Sequence, residues 1–104
     1  MVKTYDAAAF AAAMSEKKPL VVDFSAEWCG PCRMLAPVME SVSEQLEGKA
    51  EFVKIDVDDA PELAREYSIM SVPCVMVFKD GALVDKNVGF SPKHEMLDFL
   101  KKHL

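Results

Sequence analysis

Leu20-Val21-Val22-Asp23-Phe24-Ser25-Ala26-Glu27-Trp28-Cys29-Gly30-Pro31-Cys32-Arg33-Met34-Leu35 decides the fold, because it joins a strand, a short connection and a helix start. The run Leu20 to Ser25 is β-rich and apolar on both faces apart from Asp23, the pattern of a parallel strand covered on both sides. From Arg33 to Leu46, Met34, Leu35, Val38, Met39, Val42 and Leu46 recur at spacings of three and four. That spacing predicts an amphipathic helix ended by Gly48, with Pro37 inside it expected to introduce a kink. The helix is expected to begin around Pro31-Cys32, since proline is tolerated at the first helical position, where its missing N–H would be unpaired anyway. Cys29 then stands at the helix N-terminus, and Cys32 lies one turn further in.

Outward from this stretch, the same alternation continues. Glu51 to Asp56 reads as a strand, Asp59-Ala60-Pro61-Glu62 as a helix start and Leu63 to Tyr67 as its short body. Val75 to Phe78 and Ala82 to Val84 flank Lys79-Asp80-Gly81, and an Asp-Gly pair between apolar runs predicts an antiparallel hairpin. Ser91-Pro92 is expected to cap a last helix carrying Met96, Leu97, Leu100 and Leu104 on one face, with Lys101, Lys102 and His103 near its negative end. Ala7 to Met14 is a helix by propensity, and Val2 to Tyr5 a candidate first strand. The order β-α-β-α-β-α-β-β-α is that of an α/β domain: a central mixed sheet of four to five strands flanked by about four helices, taken as one domain over residues 1–104.

Composition narrows the function classes. Twelve basic and seventeen acidic residues leave a net charge of −5, with no basic stripe, so general affinity for phosphate backbones is not expected and nucleic acid is excluded as a partner. No apolar stretch approaches the roughly 20 residues that cross a bilayer, and the N-terminal residues lack the pattern of a secretory signal. The expectation is a cytoplasmic monomer. Three cysteines, an odd number, do not suggest a framework of structural disulfides.

The pair in Cys29-Gly30-Pro31-Cys32 points instead to thiol–disulfide exchange. Unpaired N–H groups and the macrodipole at a helix N-terminus favour an anion, so Cys29 is expected to ionise below the ordinary thiol value of about 8.5. As the more exposed thiol, Cys29 is expected to attack a target disulfide, and the shielded Cys32 to resolve the mixed disulfide. Asp23 is the candidate base for that second step, since burial among Val21, Val22 and Phe24 should raise its pKa. Lys54, in the strand Phe52 to Ile55, could neutralise it. Plainer readings stand beside these: Asp23 as a locally hydrogen-bonded polar group, Lys54 as a solvated surface charge, Trp28 as ordinary core. A zinc site would want four ligands, and Cys74, His94 and His103 supply no second paired signature.

Through Trp28-Cys29-Gly30-Pro31-Cys32, with Val21 to Glu27 before it and Arg33 to Pro37 after it, the chain resembles the thioredoxin family. Lys54 to Asp58, Ser71-Val72-Pro73, Phe78 to Gly81 and Val88-Gly89 extend the resemblance over nearly the whole chain. The resemblance implies the thioredoxin fold, with Cys29 as nucleophile, Cys32 as resolving cysteine, Asp23 as the buried acid and Lys54 as its neighbour. It further implies that Pro73 is a cis-proline facing the dithiol. Trp28, Gly30, Pro31, Val72, Pro73 and Gly89 would then line a shallow groove for a substrate segment, paired to the Val72 backbone by strand addition. Reducing equivalents would come from NADPH through thioredoxin reductase, with no cofactor bound to the domain and disulfide-containing proteins as targets. Cys74 departs from the family, which usually has Thr after that proline. It is either a small buried thiol standing in for Thr or a third sulfur close enough to the dithiol to be oxidised with it.

These residues point to a protein-disulfide reductase. A folding oxidant or isomerase is disfavoured by Gly30-Pro31 and by the missing signal. A thioredoxin-like binding or chaperone subunit without redox turnover is the alternative from another class.

Overall fold

Nine elements arise from the alternating pattern in the computed structural model, which describes residues 1–104. They are β1 (Lys3–Thr4), α1 (Ala7–Glu16), β2 (Leu20–Ser25), α2 (Gly30–Gln45), β3 (Glu51–Asp56), α3 (Pro61–Glu66), β4 (Cys74–Lys79), β5 (Ala82–Val88) and α4 (Lys93–Lys101). One five-stranded sheet runs β1-β3-β2-β4-β5. β1, β3 and β2 are parallel, while β4 is antiparallel to β2 and β5 to β4. The expected mixed sheet with four flanking helices is the one observed.

Side-chain alternation along the strands divides the core into two layers. Leu20, Val22 and Phe24 of β2 join Val53, Ile55, Cys74, Met76 and Phe78 against Phe10 and Ala13 of α1 and Leu63 of α3. Val21 joins Phe52, Val75 and Val77 against Leu35, Met39 and Val42 of α2 and Met96 and Leu100 of α4. Asp23 and Ser25 alternate with Phe24 and therefore share the face of Val21, toward α2 and α4. Both are buried, as is every residue of β2.

Local chemistry sets the element ends. Asp6 caps α1 by accepting the Ala9 N–H at 2.8 Å. Asp80 (φ 55°) and Gly81 (φ 79°) both take left-handed backbone, the requirement of a two-residue type I′ hairpin, and Lys79 pairs with Ala82 across it. β5 runs on to Val88, four residues beyond the predicted Val84, with a register shift at Val77/Phe78.

Three expectations need correction. α2 begins at Gly30, so Pro31 is its second residue; the site tolerates proline equally, because the first four N–H groups of a helix are all unpaired. Met34, assigned to the apolar face, is exposed, since the face covering the sheet is set by Leu35, Met39 and Val42. Ser91 does not cap α4: the N-cap is Pro92 without a side-chain bond, the Ser91 hydroxyl instead accepts from Asn87 Nδ2 at 3.0 Å, and Leu104 lies past the helix end.

Candidate active site

Cys29 sits where β2 has ended and α2 begins. It is the N-cap residue of α2, with extended backbone (φ −93°, ψ 114°), and the Cys32 N–H donates to its Sγ at 3.1 Å. An unpaired helix N-terminal donor is thus aimed at the sulfur, the arrangement that stabilises negative charge there. The two cysteines are joined in a disulfide with Cα atoms 5.2 Å apart. Pro31 between them costs no backbone bond, and the α2 helix continues through Pro37 to Gln45.

Exposure does not separate the two sulfurs as predicted. Cys29 is 5% and Cys32 3% exposed, both enclosed by Ala26 with Val57 and Val72 packed against them. What separates them is position: Cys29 is the cap at the helix mouth, and Cys32 is already inside the helix. The Val72 carbonyl oxygen lies 3.7 Å from Cys29 Sγ, within reach of a thiol proton once the bond is reduced.

The Val72–Pro73 peptide bond is cis. The Pro73 carbonyl accepts the Gly89 N–H at 2.8 Å, which ties the Val88-Gly89 loop to the proline loop; Gly89 has φ 92°, a conformation glycine adopts without strain. Of the six expected groove residues, Trp28 and Val72 line a cleft of about 340 Å³ beside the dithiol, together with Asp58, Arg65, Ile69 and Met70. Gly30, Pro31, Pro73 and Gly89 lie outside that cleft, around the dithiol and the cis bond. Trp28 is 70% exposed, and its Nε1–H donates to Asp58 Oδ2 at 2.9 Å. Trp28 is therefore a surface aromatic held in place, not core. The role of Asp58 escaped the sequence reading, because nothing in a loop acidic residue signals a partner thirty positions earlier.

Asp23 is 2% exposed, in register with Lys54 on β3 and Val75 on β4. Burial pushes its carboxyl up to about 6, against a smaller opposing pull from the Lys54 ammonium. Lys54 is half-buried and makes no ion pair with the carboxylate, so it acts at longer range than the sequence suggested. Cys74 belongs to the opposite layer, in register with Phe24 and on the face of Met76, and burial raises its thiol above the ordinary value. The sheet separates its side-chain layer from that of α2.

The thioredoxin family model matches residues 1–102. Thioredoxins of Staphylococcus aureus strains Mu50 and MW2 are 54% identical over 84 residues, covering 81% of this chain and 81% of each relative. The chain belongs to the thioredoxin family. A crystal structure of chloroplastic thioredoxin z, 30% identical, superposes with a TM-score of 0.86 over 97% of this chain and 92% of that one. With the Cys29–Cys32 pair in place, this member is a thiol–disulfide oxidoreductase of the protein-disulfide reductase type. Thioredoxin chemistry needs no bound cofactor, and the family works with thioredoxin reductase and disulfide-bearing proteins. No helix is long and apolar enough to cross a membrane.

Proposed function

We propose a division of labour within this site. Cys29 is the nucleophile: its thiolate attacks a target disulfide, one target sulfur leaves as thiolate, and a mixed disulfide forms. Cys32 then passes its proton to Asp23 and attacks Cys29 Sγ. The Cys29–Cys32 bond forms as the Cys29–target bond breaks, and the second target sulfur leaves as thiolate and is protonated by solvent. Lys54 offsets part of the burial effect on Asp23 and so favours its ionised form. The observation that carries this reading is the Cys32 N–H aimed at Cys29 Sγ, which gives the two sulfurs unequal electrostatics despite equal burial.

Targets dock on the apolar surface around the dithiol. Trp28 at 70% and Met70 at 93% exposure flank the cleft, and Val88 and Phe90 are exposed beside Gly89. Apolar side chains gathered at one place on a small protein mark a contact surface. An extended target segment pairs with the backbone at Val72 and rests on Trp28, Gly30, Pro31, Pro73 and Gly89. NADPH supplies the reducing equivalents through thioredoxin reductase, and the protein works as a monomer, one domain over residues 1–104, in the cytoplasm.

Insulin reduction coupled to thioredoxin reductase and NADPH tests this. Turnover is expected in the parent and its loss in Cys29→Ser, while Cys32→Ser accumulates the mixed disulfide visible by intact mass. Equal rates from parent and Cys29→Ser, or a covalent adduct at Cys32 in place of Cys29, would overturn the assignment.

A further inference from the structure

β2 turns two polar side chains toward α2 and α4, and neither is satisfied by the protein. Asp23 Oδ1 and Ser25 Oγ are the two buried side-chain oxygens without a hydrogen-bond partner, on residues 2% and 1% exposed. Buried polar groups are almost always paired, and an orphan costs about 1–3 kcal/mol. Two orphans on one face of one strand, two residues apart, are therefore best understood together.

No surrounding group makes a hydrogen bond to either oxygen. From β4, Asp23 meets Val75, and the pairing of β4 with β2 stops at Phe24–Cys74, so no β4 residue is registered with Ser25. From β3 come Lys54, which forms no ion pair, beside Asp23, and Asp56 beside Ser25. Asp56, whose Oδ1 accepts the Asp58 N–H at 2.8 Å, makes no hydrogen bond to the Ser25 hydroxyl. α2 and its cap add the two cysteines and then Leu35 and Met39, and α4 adds Met96 and Leu100, all of them apolar beyond the dithiol. Residues two apart on a strand are about 6.6 Å apart at Cα, a span that one water molecule bridges with two ordinary hydrogen bonds. Ser25 also stands at the end of β2, with Ala26, a wall of the dithiol, as the next residue.

We propose that Ser25 is a positioning residue of the resolving step: its hydroxyl, joined to the Asp23 carboxyl through one shared water, stabilises the ionised carboxylate and holds it ready to take the Cys32 proton. The proposal rests on the reading of Asp23 as the base. In the step, the Cys32 S–H proton moves to Asp23, the new thiolate forms the bond to Cys29, and the target leaves as thiolate. Asp23 afterwards gives the proton back to solvent. Removing the hydroxyl takes a donor from the charged form, so Asp23 should hold its proton to higher pH.

The test combines a carboxyl-carbon NMR titration of Asp23 with single-turnover release of a target from its mixed disulfide as a function of pH. In Ser25→Ala, the Asp23 midpoint and the acid limb of the release profile are both expected to move up by about one pH unit, so that release below the midpoint slows about tenfold. Ser25→Thr, which keeps the hydroxyl, is expected to restore both. An Asp23 midpoint in Ser25→Ala equal to the parent's overturns the role of Ser25 alone. Release from Asp23→Asn at the parent rate throughout the profile overturns the reading of Asp23 as base, and the proposed step with it.

Discussion

The two faces of the central sheet use the same strands for different ends. Toward α1 and α3, every fully buried residue is apolar, and Phe10, Tyr67 and Phe78 pack edge to face with ring centroids 5.3–5.9 Å apart. Toward α2 and α4, the same strand β2 alternates Val21 with Asp23 and Ser25, and the dithiol sits at the end of that layer. One face is built for cohesion. The other accepts an ionisable group in a poorly solvated place, which weakens the fold and leaves a carboxyl that titrates close to neutral pH. The contrast teaches that stability and reactivity in this small domain are separated by the thickness of one sheet.

The largest effect should come from breaking the cohesive face. Phe78 is fully buried and contacts both partner rings, so Phe78→Ala is expected to cost about 3–5 kcal/mol in urea unfolding. Insulin reduction per folded molecule should stay at the parent value.

Asp23→Asn sharpens the comparison from the other side, because it should stabilise. The folded carboxyl holds its proton to about pH 6 against 3.8 for the free group. The native state therefore binds more protons between those values, and stability falls as pH rises through that window. Above it the ionised group costs about 3 kcal/mol, at about 1.4 kcal/mol per pH unit. Unfolding free energies of parent and Asp23→Asn should differ by that order at pH 7 and converge below about pH 4, while target release slows in the variant. A difference independent of pH would show that ionisation is not its cause.

A smaller effect is expected from Cys74→Ser, which puts a hydroxyl into the wholly apolar layer. With no partner in the apolar layer around Phe24 and Met76, the hydroxyl should cost about 1–3 kcal/mol. Because the sheet stands between Cys74 and the dithiol layer, peroxide treatment should inactivate the variant and the parent alike; protection of the variant would place this thiol in the redox chemistry after all.

The fold was legible because the strands announce themselves by covered apolar runs, and Asp80-Gly81 and the helical spacing of Leu35, Met39 and Val42 fix the connections. The dithiol and Asp23 were legible for a related reason: both break an expected pattern, two thiols at a helix start and one carboxylate in an apolar strand. What escaped was decided by contacts between distant segments. Cys29 is enclosed by Val57 and Val72, which no local pattern predicts. Trp28 is held by Asp58, and Ser91 turns to Asn87 in place of capping its helix. Ser25 gave no signal either, since a serine at a strand end is ordinary until its burial and its missing partner are known.

The central claim is that the N-terminus of α2 makes Cys29 an unusually reactive sulfur. The pH dependence of iodoacetamide alkylation of the reduced protein, read residue by residue from peptide masses, tests it most directly. Cys29 should be modified first, half-maximally at a pH well below that of a cysteine in an unstructured peptide. Modification of Cys29 at the peptide's rate and the peptide's midpoint would contradict the account.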